Sequence, residues 1–357
     1  MYKVTIQPQW ELHTEDGQRL PPRLVELLLA IRDTGSLAAA CRRTGLSYRY
    51  AWGTLREARR LFGQPLLRAT RGRGAQLAPI GERLVWAEQR IAARLAPTLE
   101  SLASELETEL ERVFRQEAAP LRLHASHGFG VETLRRFMVL AGAPLELQYR
   151  SPDDALAALR SGACDLASLH LPIGELENEL LDHYRDRLDA HGDCVLHLAT
   201  RTQGLVLAPG NPKRIHALPD LLRADVRFIQ RQPGSGTRLL LECLLARQGL
   251  SPSGLRGPHM EELTHAAVAA YVASGQADAG FGLEPPARRY GLDFIPIVSE
   301  RYFLLCRRDA LHGGQLAPIV DLLRSEAFQH ELGLLPGYDA HDCGRVQGLA
   351  EAFAGLV

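Results

Sequence analysis

Apolar residues recur at helical steps through the first third of the chain. Leu24, Leu27, Leu28 and Ile31 form one stripe, which predicts a helix over Leu24–Asp33 closed by Thr34 and Gly35. Ser36 is a suitable N-cap for a short second helix through Arg43, whose segment Leu37-Ala38-Ala39-Ala40-Cys41 is small enough for another helix to cross closely. Thr44-Gly45-Leu46 makes a turn, and Ser47 caps a third helix running to about Phe62. Pro65–Thr70 and Ala75–Leu77 then read as two strands around the hairpin Arg71-Gly72-Arg73-Gly74. From about Ile80 to Glu117 one long helix is expected, with apolar residues at Ile91, Leu95, Leu99, Leu102, Leu106, Leu110 and Val113. Such a stripe needs a partner, and a second subunit is the natural one. Pro97 should kink or interrupt this helix.

The rhythm changes at Leu121. Short apolar runs alternate with amphipathic segments: a strand at Leu121–Ala125, a helix from about Val131, then Leu145–Tyr149, Asp153–Arg160 and Leu166–Leu169. Further on, a strand is expected at Val226–Ile229, a helix at Leu239–Leu250, another at Ala266–Ala273 and a strand at Ala277–Gly282. This alternation predicts a parallel α/β sheet, as one large domain or two lobes. The tail from Ala310 has helical segments at Ile319–Leu323 and Val346–Phe353. The expected organisation is a mainly α winged helix-turn-helix domain over 1–79, a linker and dimerisation helix over 80–118, and an α/β two-lobed domain over 119–357.

Composition changes this picture little. The 357 residues are 46% hydrophobic and 23% charged, as in ordinary globular domains. No apolar run approaches the roughly 20 residues of a membrane span, and the N-terminus lacks a signal-peptide core, so the cytoplasm is expected and a membrane partner is not. Cys41, Cys164, Cys194, Cys243, Cys306 and Cys343 are scattered without a CxxC pair, and the 13 histidines show no HExxH spacing. Neither a metal site nor a cofactor is expected. The net charge of −1 hides an uneven distribution: Thr44–Arg73 holds seven arginines and a single acid, Glu57.

That window carries the chemistry of a DNA reader. Ser47, Tyr48, Arg49, Tyr50 and Trp52 crowd the first turn of the third helix, with Arg56 one turn on, and Ser36 begins the helix before it. Arginine bonds guanine edges, while serine and tyrosine bond phosphates. Arg71 and Arg73 would set a basic hairpin tip along the backbone. Helix, small-residue helix, glycine turn and capped polar helix form the helix-turn-helix signature. The segments Gly35–Ala40, Leu46–Trp52 and Arg71–Gly74 resemble the DNA-binding domain of ModE-type regulators, relatives of the LysR family. The resemblance implies a leading strand around Tyr2–Glu11, operator DNA as partner, and dimers paired through the linker helices, with tetramers left open.

The second half offers a place for an anion. Gln230-Arg231-Gln232-Pro233-Gly234-Ser235-Gly236-Thr237-Arg238 follows a strand and opens a helix, so unpaired N–H groups, two hydroxyls and the Arg238 charge meet behind backbone that can approach closely. Ser126-His127 and Ser168-His170 follow other strands, and Thr264-His265 begins a helix. The candidate ligand residues are Ser126, His127, Ser168, His170, Gly234, Ser235, Gly236, Thr237, Arg238, Thr264 and His265. This half resembles the type 2 periplasmic-binding-protein fold of LysR effector domains, and within it the molybdate- and tungstate-type oxyanion domains. Formate, sulfate or another small carboxylate would fit the same donors. No GxSxG elbow or Cys/His pairing supports an enzyme. A solute-binding protein or an α/β enzyme without a DNA role is the competing reading.

Overall fold

The structure is a computed structural model that describes residues 3–70, 74–114, 120–143, 145–258, 260–312 and 314–356. It divides into two compact units, Gln7–Ala93 and Arg94–Val357 with Met1–Ile6.

In the first unit α1 (Leu24–Thr34), α2 (Leu37–Thr44) and α3 (Tyr48–Phe62) precede a hairpin of β1 (Leu67–Thr70) and β2 (Gly74–Leu77). Leu24, Leu27, Leu28 and Ile31 are buried with Ala40, Ala51, Leu55 and Ala58, so the small residues of α2 and α3 admit the leucines of α1. The expected caps are present: Ser36 Oγ accepts from Ala39 N at 3.4 Å and Ser47 Oγ from Tyr50 N at 3.1 Å. The hairpin is fastened to the turn between α1 and α2. Ala75 N donates to Gly35 O at 2.8 Å, and Gly74 sits at φ +80°, where a Cβ would lie 2.1 Å from that same oxygen. The leading strand does not form: among the described residues 3–11 none is in a strand. Pro8 removes one backbone donor, and the indole of Trp10 donates instead to Glu88.

The helix α4 (Pro79–Phe114) contributes to both units and runs 36 residues without interruption through Pro97, contrary to expectation. In the second unit it covers the free edge of a sheet. Ser104 Oγ donates to Leu145 O at 3.2 Å and accepts from Leu147 N at 2.8 Å, while Ser101 Oγ accepts from Tyr149 N at 3.0 Å. This anchoring offsets the helix bond that Pro97 cannot make. The apolar stripe points elsewhere: Leu95, Leu102, Leu106 and Val113 are exposed.

Beyond it lie β3 (Leu121–Ala125), α5 (Phe129–Leu140), β4 (Leu145–Tyr149), α6 (Pro152–Ser161), β5 (Leu166–Pro172), α7 (Glu177–Tyr184) and β6 (Asp193–Leu207). There follow β7 (Phe228–Arg231), α8 (Gly236–Arg247), β8 (Glu261–Glu262), α9 (His265–Ala273), β9 (Ala279–Leu283), α10 (Glu284–Arg289) and β10 (Asp293–Arg307). The tail adds α11 (Arg308–His312), α12 (Ala317–Arg324), α13 (Glu326–Gly333), β11 (Tyr338–Asp339), β12 (Val346–Gly348) and α14 (Leu349–Ala352), so the helix expected over Val346–Phe353 is half strand.

The sheet is mixed rather than parallel. Its order is β4-β3-β5-β10-β6-β9-β7-β8, with β11 and β12 also on β6. The parallel sets β4-β3-β5 and β9-β7-β8 form two lobes, and the antiparallel pair β6–β10, 15 residues each, runs through both. Two long strands spanning two lobes are invisible to a search for βα alternation, since they pair antiparallel across distant segments of the chain.

Gly74→Ala should destabilise the first unit by about 1–3 kcal/mol, from a left-handed backbone and a contact with Gly35 O that no rotamer relieves. Calorimetric unfolding of the full chain checks this; a transition at the wild-type temperature would contradict the hairpin packing.

Candidate functional site

The N-terminal turn of α3 presents an exposed aromatic and basic face on the first unit. The Ser47 cap leaves Tyr48 and Trp52 one turn apart on the outer face, 53% and 55% exposed, with ring centroids 6.5 Å apart. Exposing two such aromatics costs burial that a monomer normally takes, which marks the face for contact. Arg49 and Arg56 are exposed beside them. Tyr50 is also exposed, but its hydroxyl donates to Pro22 O at 3.3 Å, so it braces the helix as well. Arg71 and Arg73 lie outside the described residues.

In the second unit the chemistry gathers where β6 and β10 cross between the lobes. Glu300 faces Arg201 in register. Arg201 Nε donates to Glu300 Oε1 at 2.6 Å, and both side chains are 1% exposed. Gln203 Nε2 donates to Glu300 Oε2 at 2.8 Å, and the guanidinium lies over the Tyr302 ring at 4.2 Å. Burial opposes both charges, but each holds the other: Glu300 keeps Arg201 raised, and Arg201 with His170 keeps Glu300 below the usual carboxylate range.

Around this pair the strand ends converge. His170, at the end of β5, has Nδ1 3.7 Å from Glu300 Oε2 and its ring beside Tyr302. The start of α8 closes against it: a Cβ on Gly236 would stand 2.1 Å from His170 Cε1, so only glycine lets the helix N-terminus come this near. Ser235 caps that helix through Arg238 N at 3.2 Å, Thr237 is buried, and Gly234 takes φ +76° in the preceding turn. His265, one residue past the Thr264 cap of α9, accepts from Leu283 N at 3.3 Å.

Arg231 completes the set. Its guanidinium is buried, with Nε and Nη2 spent on the carbonyls of Glu262 and Leu263, while Nη1 has no hydrogen-bond partner among the described residues. Burial, then the neighbouring Arg201, pushes it down to about 10. The histidines feel the same field. Burial lowers His170 to about 4, and burial followed by Arg231 and Arg201 holds His265 well below its ordinary value. Two buried guanidiniums, two buried carboxylates and neutral imidazoles line this cleft. Glu300 is bonded to Arg201, and Glu262, which acts on Arg231, is paired with Arg94 at 3.1 Å, so Arg231 Nη1 is left as an unused donor among the described residues. Such a cleft can accept a small anion.

These features agree with what comparison finds. A PBP superfamily domain matches residues 135–324, more than half of the chain, and a bacterial regulatory helix-turn-helix protein of the lysR family matches residues 22–82. The chain belongs to the PBP superfamily. Its N-terminal part carries a helix-turn-helix of the lysR family type. It is 34% identical over 201 residues to the uncharacterized protein YvgK of Bacillus subtilis, covering 56% of this chain and 64% of that one. It is 38% identical over 103 residues to the molybdenum-pterin-binding protein MopB of Rhodobacter capsulatus, covering 28% of this chain and 38% of MopB. The chain thus spans less than two thirds of either relative. Among solved structures it is similar to full-length LysG of Corynebacterium glutamicum with bound effector Arg (17% identity, 84% and 95% coverage, TM-score 0.39). It is also similar to full-length CbnR with its target DNA (17%, 84% and 96%, TM-score 0.40).

Within this PBP-like domain the sequence-derived residues separate into groups. His170, His265, Gly236 and Thr237 come together at the cleft. Ser168 and Thr264 are buried, Ser168 Oγ accepting from Ser126 N at 2.9 Å and Thr264 Oγ1 from Ala267 N at 2.9 Å, so they shape the loops. Arg238 is committed to Glu242 and Glu261, and its charge is spent there. His127 turns toward Glu132 and Tyr149. Burial lowers His127 to about 3, and burial, then Glu100, raises Glu132 to about 7. Sequence reasoning missed Arg201, Gln203, Glu300 and Tyr302, which lie mid-strand without a local motif. Arg231 was legible as the residue ending a strand just before the glycine loop.

The His170 shift has a stability consequence. It faces Glu300, Arg201, Arg231 and Tyr302, and its folded value lies below the unfolded 6.5. Between pH 6.5 and about 4 the unfolded chain binds a proton that the folded chain does not, so stability falls as pH falls through that window. Melting temperatures followed from pH 7 to 4 should drop more steeply for the wild type than for His170→Gln. Parallel curves would show that His170 is not held neutral by the fold.

Proposed function

We propose that this regulator binds operator DNA as a dimer and that its cleft senses a small oxyanion, molybdate or tungstate before formate or another small carboxylate. The observation that carries the anion reading is Arg231, a buried cation with an unpartnered Nη1 beside a second buried arginine. An anion held between Arg231, Arg201 and the N-terminus of α8 would fill that donor. The partial likeness to MopB favours a molybdenum-type oxyanion over a carboxylate. Because Arg201 and Glu300 sit on the strands common to both lobes, an anion that binds one lobe geometry better would shift the population toward it.

Dimerisation rests on α4. Leu95, Leu102 and Leu106 are exposed at steps of seven and four, with Val113 one heptad beyond Leu106. A second copy of the same helix would bury them as a coiled-coil seam. Paired reading helices would then meet two half-sites, with affinity falling steeply as salt rises.

Two experiments test this. In a thermal-shift screen against molybdate, tungstate, sulfate, phosphate, formate and oxalate, a ligand at about one hundred times its dissociation constant should add roughly 2.7 kcal/mol. Arg231→Gln should lose that gain; an equal gain in the variant, or none in the wild type, would sink the anion reading. For the other unit, Arg49→Ala with Arg56→Ala should weaken operator binding by about 1–3 kcal/mol per side chain that reaches a base. Unchanged operator affinity would remove α3 as the reading helix.

A further inference from the structure

Apart from the cleft, one cluster of ligating side chains is assembled from three separate segments. Glu100 lies on α4, His127 on the loop after β3 and Glu132 in the first turn of α5. One ligand atom from each lies within 4.8 Å of the other two. His127 Nε2 is 3.4 Å from Glu132 Oε1, with the imidazole nine-tenths buried and that nitrogen lacking a hydrogen-bond partner among the described residues. We propose that Glu100, His127 and Glu132 bind a divalent first-row transition-metal cation, which fastens α4 to the first lobe of the effector domain.

The donor set suits such an ion. One imidazole nitrogen and two carboxylates match the ligand preferences of Zn²⁺, Mn²⁺, Fe²⁺ or Co²⁺ and disfavour the all-oxygen shell of Ca²⁺. Ligands at about 2.1 Å from a tetrahedral metal stand roughly 3.4 Å apart, the separation already held by His127 and Glu132. Glu100 needs only a rotamer adjustment of about an ångström to join them. The arginines nearby do not bond the cluster: Arg135 donates to Glu107 at 2.8 Å and reaches Glu100 only as a charge, as Arg289 does Glu132. The aromatic wall is Tyr149, its ring centroid 4.7 Å from that of His127.

Position gives the site a consequence. Glu100 precedes Ser101 and Ser104, which already clamp α4 to β4, so the metal would add a strong bond to a helix held there by hydroxyls. His127 lies between Ser126, whose carbonyl accepts from Tyr302 Oη at 3.2 Å, and Gly128, where a Cβ would meet Arg201 Nη1 at 3.3 Å. Metal occupancy and the Arg201 side of the cleft therefore share one loop.

The test uses metal-free full-length chain titrated with Co²⁺ and read by its visible absorption. The expected result is saturable binding of a single cation with ligand-field bands, a raised melting temperature, and no sulfur-to-metal charge transfer. His127→Ala should weaken binding by more than the roughly 10–100-fold typical of second-shell changes. Glu100→Gln, a near-isosteric change at a half-buried position of α4, is the second variant should the first fail to fold as judged by circular dichroism, and it should weaken binding likewise. No saturable binding to the wild type, thiolate charge-transfer bands, or undiminished affinity in a folded variant would each overturn the proposal.

Discussion

The buried pair of Arg201 and Glu300 is the constraint on which the effector domain depends. It joins β6 to β10 where these strands pass from one lobe to the other, in an interior where either charge alone would be costly. Gln203 and His170 complete the shell of the carboxylate, and Tyr302 stacks beneath the guanidinium. Glu300 is bonded to Arg201, and the second buried carboxylate, Glu262, is paired with Arg94, so Arg231 keeps one donor, Nη1, without a partner among the described residues. The low values of Arg231, His170 and His265 share burial as their first cause, with the neighbouring guanidiniums lowering each further.

The same strands explain how a ligand could act at a distance. β10 pairs with β5 of one lobe and β6 with β9 of the other, so the β6–β10 ribbon carries both lobes, with register shifts between Pro296 and Val298 and between Tyr302 and Phe303. Bulges are where such ribbons bend, and these flank Glu300 on both sides. An anion that contacts Arg201 on β6 and Arg231 at the end of β7 would touch the common ribbon and the second lobe together. Differential contact of this kind is what a population shift requires.

Legibility in the sequence followed locality. The caps at Ser36 and Ser47, the leucine stripe of α1 and the glycine loop before α8 are each written within a dozen residues, and each was found. The hairpin strands were found because Gly74 and its neighbours carry turn chemistry. What escaped was set by pairing between distant segments. Arg201 and Glu300 are 99 residues apart and sit mid-strand, where an arginine or glutamate reads as an ordinary polar position. Arg238 looked like the charged member of the loop, yet Glu242 and Glu261 take it, while Arg231 supplies the buried charge. The long α4 was read from its apolar stripe, but an interruption was expected at Pro97, because the side-chain bonds to β4 that hold the helix there are not visible in the sequence. Glu100, His127 and Glu132 have no metal-ligand spacing, since three elements bring them together.

The central claim is that the spare donor of Arg231, beside Arg201, is met by an anion. It is tested most directly by crystals of the full chain grown with tungstate or, separately, selenate, and measured at the absorption edge of the heavy atom. An anomalous peak within hydrogen-bond reach of Arg231 Nη1 and the start of α8 is the predicted result. A cleft with no peak in either crystal, or peaks confined to the exposed arginines of α3, would contradict it.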